Sequence, residues 1–402
     1  MKICYLTADR GIRLQRHNGA TAHFRSIVGA FTAVGAEVSV VTASREGGED
    51  LGVPLVRIPT PPITDAFLSD AEAANRGGED DRRRKRVAHA LAHIWNNLMV
   101  ERTLEEVLPR LRPDLLFEVY SPYGAAGGIV ARRLGVRHVL NAHAPLAREG
   151  AEYRQQALQE AAVALERAAF QYAQLVVTNS KELRDEIAAT GVPPTKLAVV
   201  PNGVDVDLFA PEGDTYRDGL DGKFVIGFVA SLRLWHGVEM LADAFRMLAP
   251  DSRFHLLVVG DGPQSRELRK LGREFPGQLT HVGEVPLADV PRYVRAMDAG
   301  VAPYPPIQGF YFSPLKVLEY MAAGRPVVGS RIGQMSELVR DGETGLLVPP
   351  GDAAALAAAL RTLADDGARR QRMGAAAAVE ARRQHTWVQR AERILELAEA
   401  LG

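Results

Sequence analysis

The chain has 402 residues, 47 % of them hydrophobic and 24 % charged, with a formal net charge of −1. That length exceeds one ordinary core and implies two domains, and the even charge balance argues against a nucleic-acid-binding role. Its single cysteine, Cys4, excludes an intrachain disulfide and sits in an apolar run, as a small core residue does. Met1-Lys2 is followed by only a short apolar run, unlike a secretory leader, so the expected compartment is cytoplasmic. No stretch approaches the roughly 20 apolar residues that span a bilayer.

Short β-rich runs alternate with helical patterns along the chain. Residues 3–7, 38–42, 115–119, 136–141 and 175–178 read as buried strands. Amphipathic stretches at 20–34, 86–111, 125–134 and 152–172 read as helices between them. The alternation restarts at 224–229, with further strands near 254–259, 279–282, 300–302 and 327–329. Residues 209–222, rich in Pro, Gly and Asp, read as the linker. The expected fold is α/β, with two Rossmann-like, doubly wound parallel-sheet domains facing across a cleft. The first covers 1–208 and the second 209–384; residues 385–402 form a last helix that returns toward the first domain. Residues 65–86 depart from the pattern: Gly77-Gly78-Glu79-Asp80-Asp81 runs into Arg82-Arg83-Arg84-Lys85-Arg86. They read as a solvated loop entering a helix, or as a mobile flap or basic patch that meets an anionic acceptor or a membrane surface.

The most informative stretch is Ser313-Pro314-Leu315-Lys316-Val317-Leu318-Glu319, followed by Ala323-Gly324-Arg325-Pro326-Val327-Val328. Pro314 suits a helix start. Amide N–H groups at that end attract anions, and Lys316 adds a full charge. Glu319, one turn further in, can accept hydroxyl hydrogen bonds. The set suits a sugar nucleotide, with diphosphate on the amides and Lys316 and ribose on Glu319. Asp205-Val206-Asp207 has the spacing of a metal-binding D-x-D motif, and His89 and His93 lie four apart on a predicted helix. No Glu follows His89 and the histidine pair has no candidate third ligand, while the two aspartates lie in a predicted turn, so no metal is expected.

The segment from Ser313 to Val328 resembles the donor-site signature of the retaining GT-B glycosyltransferases (glycosyl transferases group 1, glycosyltransferase family 4). The resemblance continues in Pro201-Asn202-Gly203-Val204-Asp205, Gly260-Asp261-Gly262-Pro263, the 341–348 loop and the helix containing Trp387. It covers nearly the whole chain and is looser in the first half. It implies transfer of a sugar from a nucleoside-diphosphate sugar, as co-substrate, to a hydroxyl or other nucleophile of a small-molecule or glycan acceptor, with no cofactor and no metal. Peripheral membrane contact stays open. By the same resemblance, Lys316 and Arg233 clamp the leaving phosphates, with His236 as an added donor, and His143 reaches the reacting sugar or the acceptor. Ser313, Pro314, Leu315 and Glu319 line the nucleotide site, and Gly19 opens a helix beneath a glycine-rich loop. Two departures stand out. Tyr311 replaces the usual first Glu, which contacts donor-sugar hydroxyls, and Ser231 and His236 replace two usual cations. The rivals are a sugar-nucleotide epimerase or hydrolase, a phosphorylase-type enzyme, for which no pyridoxal-phosphate lysine pattern is found, and a catalytically silent GT-B binding protein.

Overall fold

The computed structural model describes residues 1–9, 12, 14, 19–61, 64 and 78–401. The chain divides into two compact units, Met1–Pro201 with Arg390–Gly402, and Asn202–Gln389.

In the first unit, β1 (Lys2–Thr7), β2 (Glu37–Thr42), β3 (Leu55–Arg57), β4 (Leu115–Val119), β5 (Arg137–Ala142), β6 (Leu175–Thr178) and β7 (Leu197–Val199) form one sheet. Its order is β3-β2-β1-β4-β5-β6-β7, and every neighbouring pair is parallel. The inner strands are buried along almost their whole length, as the unbroken apolar runs require when helices cover both faces. Helices α1 (Gly19–Ala33), α2 (Glu79–Leu111), α3 (Ala126–Leu134), α4 (Leu146–Arg154), α5 (Gln159–Tyr172) and α6 (Lys181–Ala189) alternate with the strands.

Two sequence expectations change here. The helix expected from residue 86 begins at Glu79, with Glu79, Asp80 and Asp81 in its first turn, where carboxylates favour the amide end of the helix dipole. The arginine-rich run therefore lies on a helix, and residues 65–77 before it lie outside the described residues. The single helix expected over 152–172 is two, α4 and α5. Gln155 and Leu158 between them adopt left-handed backbone, with φ of 46° and 52°. The break frees the Ala157 carbonyl, which accepts the hydroxyl of buried Tyr123.

In the second unit, β8 (Phe224–Val229), β9 (Phe254–Val259), β10 (Leu279–Gly283), β11 (Ala299–Ala302), β12 (Val327–Ser330) and β13 (Gly345–Val348) form a six-stranded sheet. Its order is β10-β9-β8-β11-β12-β13, again all parallel. Helices α7 (Val238–Leu248), α8 (Ser265–Glu274), α9 (Val290–Arg295), α10 (Leu315–Ala322), α11 (Met335–Leu338), α12 (Ala353–Asp365), α13 (Gly367–Gln384) and α14 (Trp387–Glu399) complete the order; the boundary between the units falls within α14. Apolar cores lie on both faces of the sheet, one built on Phe228, Leu241, Phe245 and Leu256, the other on Val225, Val317, Tyr320 and Met321. Residues 209–222 contain no helix or strand. They belong to this unit, held by Arg295, which donates to the carbonyls of Ala210 and Asp214.

Both sheets are doubly wound, as expected. In each, the strand order reverses at one place, between β1 and β4 and between β8 and β11. Ligands of such sheets bind at the carboxyl ends of the strands beside that reversal.

Candidate functional site

The carboxyl ends of β8 and β11 lead to the residues singled out in the second half of the sequence. After β8 the chain passes through Leu232, buried and left-handed at φ 41°, into a short turn, Leu234–His236. Gly237 ends that turn at φ 73°, and a Cβ there would stand 1.7 Å from the Pro303 carbonyl oxygen. The Gly260-Asp261-Gly262 loop after β9 presses on the same segment: Cβ atoms on Gly260 and Gly262 would each lie 2.1 Å from the carbonyls of Ala230 and Ser231. Only glycine allows this backbone contact. The loops around the reversal point are thereby locked to each other before any ligand arrives.

Helix α10 begins beside them. Its first residues have no side-chain cap, and apart from the Val317 N–H, which donates to the Pro314 carbonyl at 3.1 Å, the N–H groups of its first turn have no acceptor within the helix. The preceding Ser313 is fixed by Asn202, whose backbone N–H donates to the Ser313 hydroxyl at 3.2 Å and whose side-chain amide donates to the Ser313 carbonyl at 3.0 Å. Further along α10, the Tyr320 ring fills the space left by Gly300, and its hydroxyl accepts the Val229 N–H at 2.7 Å. The helix is thus held at its start by Asn202 and further along by the sheet.

Lys316 is the unusual member of that helix. It is 9 % exposed, and its Nζ is buried with no hydrogen-bond partner among the described residues. The ammonium lies 4.7 Å from the centroid of the Phe228 ring and 5.6 Å from that of Tyr304. Aromatic faces partly offset the lost hydration of a cation but supply no hydrogen-bond acceptor. Burial pushes Lys316 down to about 7, opposed by the charge of Glu319. Glu319, half-buried one turn later, is pushed up to about 7 by burial, opposed by Lys316. A buried ammonium without an acceptor is costly; an anion at the open end of α10 would relieve it.

His236 faces the same place. Its Nδ1 accepts the Arg233 backbone N–H at 3.3 Å, which leaves the ring proton on Nε2, a donor. Burial first, then the nearby Lys316 and Arg233 charges, hold its pKa far below the usual histidine range. His236 is therefore a neutral donor, while Lys316 and exposed Arg233 are the cations around it. The structure brings together Arg233, His236, Ser313, Pro314, Leu315, Lys316 and Glu319.

The segment Phe310-Tyr311-Phe312 adds an aromatic wall. Phe312 stacks on Trp235 with centroids 5.9 Å apart and planes 11° from parallel. It also meets Phe310 at 5.1 Å and Tyr311 at 4.5 Å. Tyr311, at the position of the usual Glu, is only 4 % exposed. The stack was not legible beforehand, because Trp235 and Phe312 are far apart in sequence; adjacent aromatics at 310–312 were its only signal.

In the first unit, His143 lies just beyond the carboxyl end of β5, as expected. The Asn141 side-chain amide donates to its Nε2 at 3.1 Å, which puts the neutral ring's proton on Nδ1. Burial pushes His143 down to about 4. His23 of α1 meets it edge-on, with centroids 4.2 Å apart. Burial and the charge of His143 hold His23 well below the usual range too. His23 escaped the sequence reading, where a lone histidine on an amphipathic helix looks like packing. Gly19 opens α1; Arg10, Gly11, Arg13 and 15–18 of the glycine-containing loop lie outside the described residues.

In the two motifs with metal-ligand spacing, Asp205, Asp207 and His93 have other partners. Asp205 accepts the N–H groups of Asp207 and Leu208 within a turn, and Asp207 pairs with Arg382 at 3.1 Å. His93 stacks on Tyr123 at 6.2 Å. No helix among the described residues is long and apolar enough to cross a membrane.

Comparison with known proteins places these features in a family. Residues 17–208 match Glycosyltransferase Family 4, and residues 223–366 match Glycosyl transferases group 1. A D-inositol 3-phosphate glycosyltransferase of Stackebrandtia nassauensis is 30 % identical over 309 residues, covering 70 % of this chain and 67 % of that protein. One from Pseudarthrobacter chlorophenolicus is 33 % identical over 223 residues, and that match spans about half of each chain, 52 % and 51 %. Among solved structures, Anabaena Alr3699/HepE in complex with UDP and glucose has a TM-score of 0.70 at 21 % identity, covering 100 % of both chains.

Proposed function

The chain belongs to the group 1, family 4 glycosyltransferases of GT-B fold, and from that premise we propose that it is a retaining, metal-independent transferase using a nucleoside-diphosphate sugar. The acceptor is a hydroxyl or other nucleophile of a small molecule or glycan. The observation that carries this reading is the buried Lys316 ammonium, without an acceptor, at the uncapped start of α10.

In this reading the diphosphate lies on the α10 amides and Lys316 Nζ, with Arg233 and the His236 Nε2–H as further donors. Glu319 accepts the ribose hydroxyls, and Tyr311 borders the sugar. As the anomeric C–O bond to the diphosphate breaks, negative charge grows on the departing oxygens. Donors fixed before the reaction favour that state over the ground state. The acceptor oxygen bonds the anomeric carbon on the same face, and its proton passes to the leaving phosphate. His143 offers Nδ1–H to a sugar or acceptor hydroxyl. Similarity to a structure holding UDP and glucose supports a nucleotide-sugar donor, and the D-inositol 3-phosphate glycosyltransferases support a small polyol as one acceptor class to screen.

A thermal-shift panel with UDP, GDP, ADP, dTDP and CDP, with and without a chelator, tests the donor site. A ligand at 100 times its Kd stabilises by about 2.7 kcal/mol. The expected result is a chelator-insensitive shift with one base. No shift with any nucleotide would favour the silent binding protein, the reading that the loss of the first Glu and of two cations keeps open.

A further inference from the structure

The opposite edge of the second unit's sheet carries a group of arginines that the donor site does not use. Donor residues follow the carboxyl ends of β8 and β11. Asp298 stands immediately before β11, and Arg325 two residues before β12, which puts both at the amino-terminal edge. Arg295 ends α9 and Arg370 lies in the first turns of α13.

The acid at this edge is already engaged. One oxygen of Asp298 takes Arg370 Nε at 3.2 Å, and the other accepts the Val225 N–H at 2.8 Å. Arg370 also donates from Nη1 to the Leu363 carbonyl at 2.7 Å and lies over the Phe224 ring. Arg295 spends Nε and Nη1 on the Asp214 and Ala210 carbonyls, at 2.8 and 3.1 Å. Gly213 lets the chain pass over that guanidinium: a Cβ there would come within 3.0 Å of it. Arg217, three residues beyond Asp214, is exposed.

Arg325 is the exception among them. Its side chain has no hydrogen bond or ion pair among the described residues, and its Nε is buried without an acceptor. Its Nη groups, not fully buried, are the part that can reach a ligand. Its turn lies against the segment that Arg295 holds, since a Cβ on Gly324 would stand 3.5 Å from the Pro211 ring, and the cations Arg217, Arg295 and Arg370 act on it together with the acid Asp298. The residue cannot swing clear at its base. The Gly324-Arg325-Pro326 turn is clasped by α13, where a Cβ on Gly374 would stand 2.1 Å from the Gly324 carbonyl, and the Arg325 N–H donates to the Tyr320 carbonyl at 2.8 Å. Guanidinium groups present planar forks that match phosphate oxygens two at a time.

We propose that Arg217, Arg295, Arg325 and Arg370 form a second anion site, for a phosphate monoester, at the sheet edge opposite the donor site. The free Nη groups of Arg325 and the side chain of Arg217 supply the principal contacts, with Arg295 and Arg370 fixing the field around them. A phosphorylated small molecule held there contacts the 210–214 segment and the start of α13, and stabilises this unit without occupying the donor site.

The test is calorimetric titration of full-length Lys316→Ala protein, whose donor-site phosphate binding is weakened, with methyl phosphate at low ionic strength. One equivalent should bind, and Arg325→Gln or Arg217→Ala should each weaken it at least about tenfold. Arg217 is exposed, so its variant keeps the test valid if Arg325→Gln fails to fold. Absence of binding to Lys316→Ala protein overturns the proposal. So does affinity unchanged by both arginine variants, or equal displacement by sulfate and by chloride at matched ionic strength, which is diffuse attraction only.

Discussion

The two units place polar groups at the same ends of matching sheets, yet they prepare them differently. Near β8 and β11 the second unit holds a desolvated cation, Lys316, without an acceptor and one turn from a carboxylate. Beyond β5 the first unit holds two imidazoles, His23 and His143, whose burial keeps both neutral at physiological pH. Charge awaiting a partner suits a phosphate, and neutral donors and acceptors suit hydroxyls. The difference teaches that strand topology fixes where a site lies, while solvation of a few side chains decides what it can take.

The largest expected effect comes from removing the charge. Lys316→Met should lower turnover by about 10²–10³-fold, in line with the loss of a transition-state donor. The same change should raise the melting temperature of the ligand-free protein, because an apolar side chain replaces a buried cation lacking a hydrogen bond. A variant that loses activity and stability together would instead make Lys316 a structural residue. Turnover and thermal melts measured on one preparation separate the cases.

Next is a proton linkage. With Lys316 at about 7, the ligand-free site has largely lost that charge at pH 8. A bound diphosphate favours the ammonium and raises its pKa, so nucleotide binding at pH 8 should take up close to one proton. Affinity should fall as pH rises through the range above 7. Calorimetry in two buffers of different ionisation heat reads the uptake directly, and Lys316→Ala should abolish it. Glu319, pushed up to about 7, works in the other direction if ribose binding favours its carboxylate. An uptake near zero in wild type and variant alike would remove Lys316 from the phosphate site.

A smaller effect tests the first unit. Asn141→Leu removes the amide that assigns the His143 proton to Nδ1. It should lower kcat by about tenfold, the size of one net hydrogen bond of about 1.4 kcal/mol, and shift the pH profile, because the ring regains tautomeric freedom. His143→Gln should cost more than Asn141→Leu. If Asn141→Leu changes only the melting temperature, the pair is packing.

Much of this was legible in the residues. Strands such as Phe224–Val229 and Leu115–Val119 are continuous apolar runs, and burial on both faces leaves no other reading. Lys316 and Glu319 were legible because one short helix carries both. The strands Leu55–Arg57 and Leu197–Val199 were not, since three residues carry no period and pairing alone creates them. The break between α4 and α5 was hidden for a similar reason: Gln155 and Leu158 take left-handed backbone through tertiary contacts rather than local preference. The Trp235–Phe312 stack and the arginine edge unite residues from distant parts of the chain, and no window of sequence contains them.

The smallest effect concerns the D-x-D spacing, and it sharpens the contrast by showing what a carboxylate does when it is not part of a site. Asp207 is largely exposed and paired with Arg382. Surface pairs of this kind contribute about 0–1 kcal/mol. Asp207→Ala should therefore leave turnover within about twofold and stability within that range. Asp205→Ala should cost somewhat more stability, because Asp205 accepts two backbone N–H groups of its turn, while turnover again holds. If either variant abolishes activity and added Mn²⁺ or Mg²⁺ restores it, those carboxylates are metal ligands after all. The phosphate charge would then be shared between an ion and Lys316.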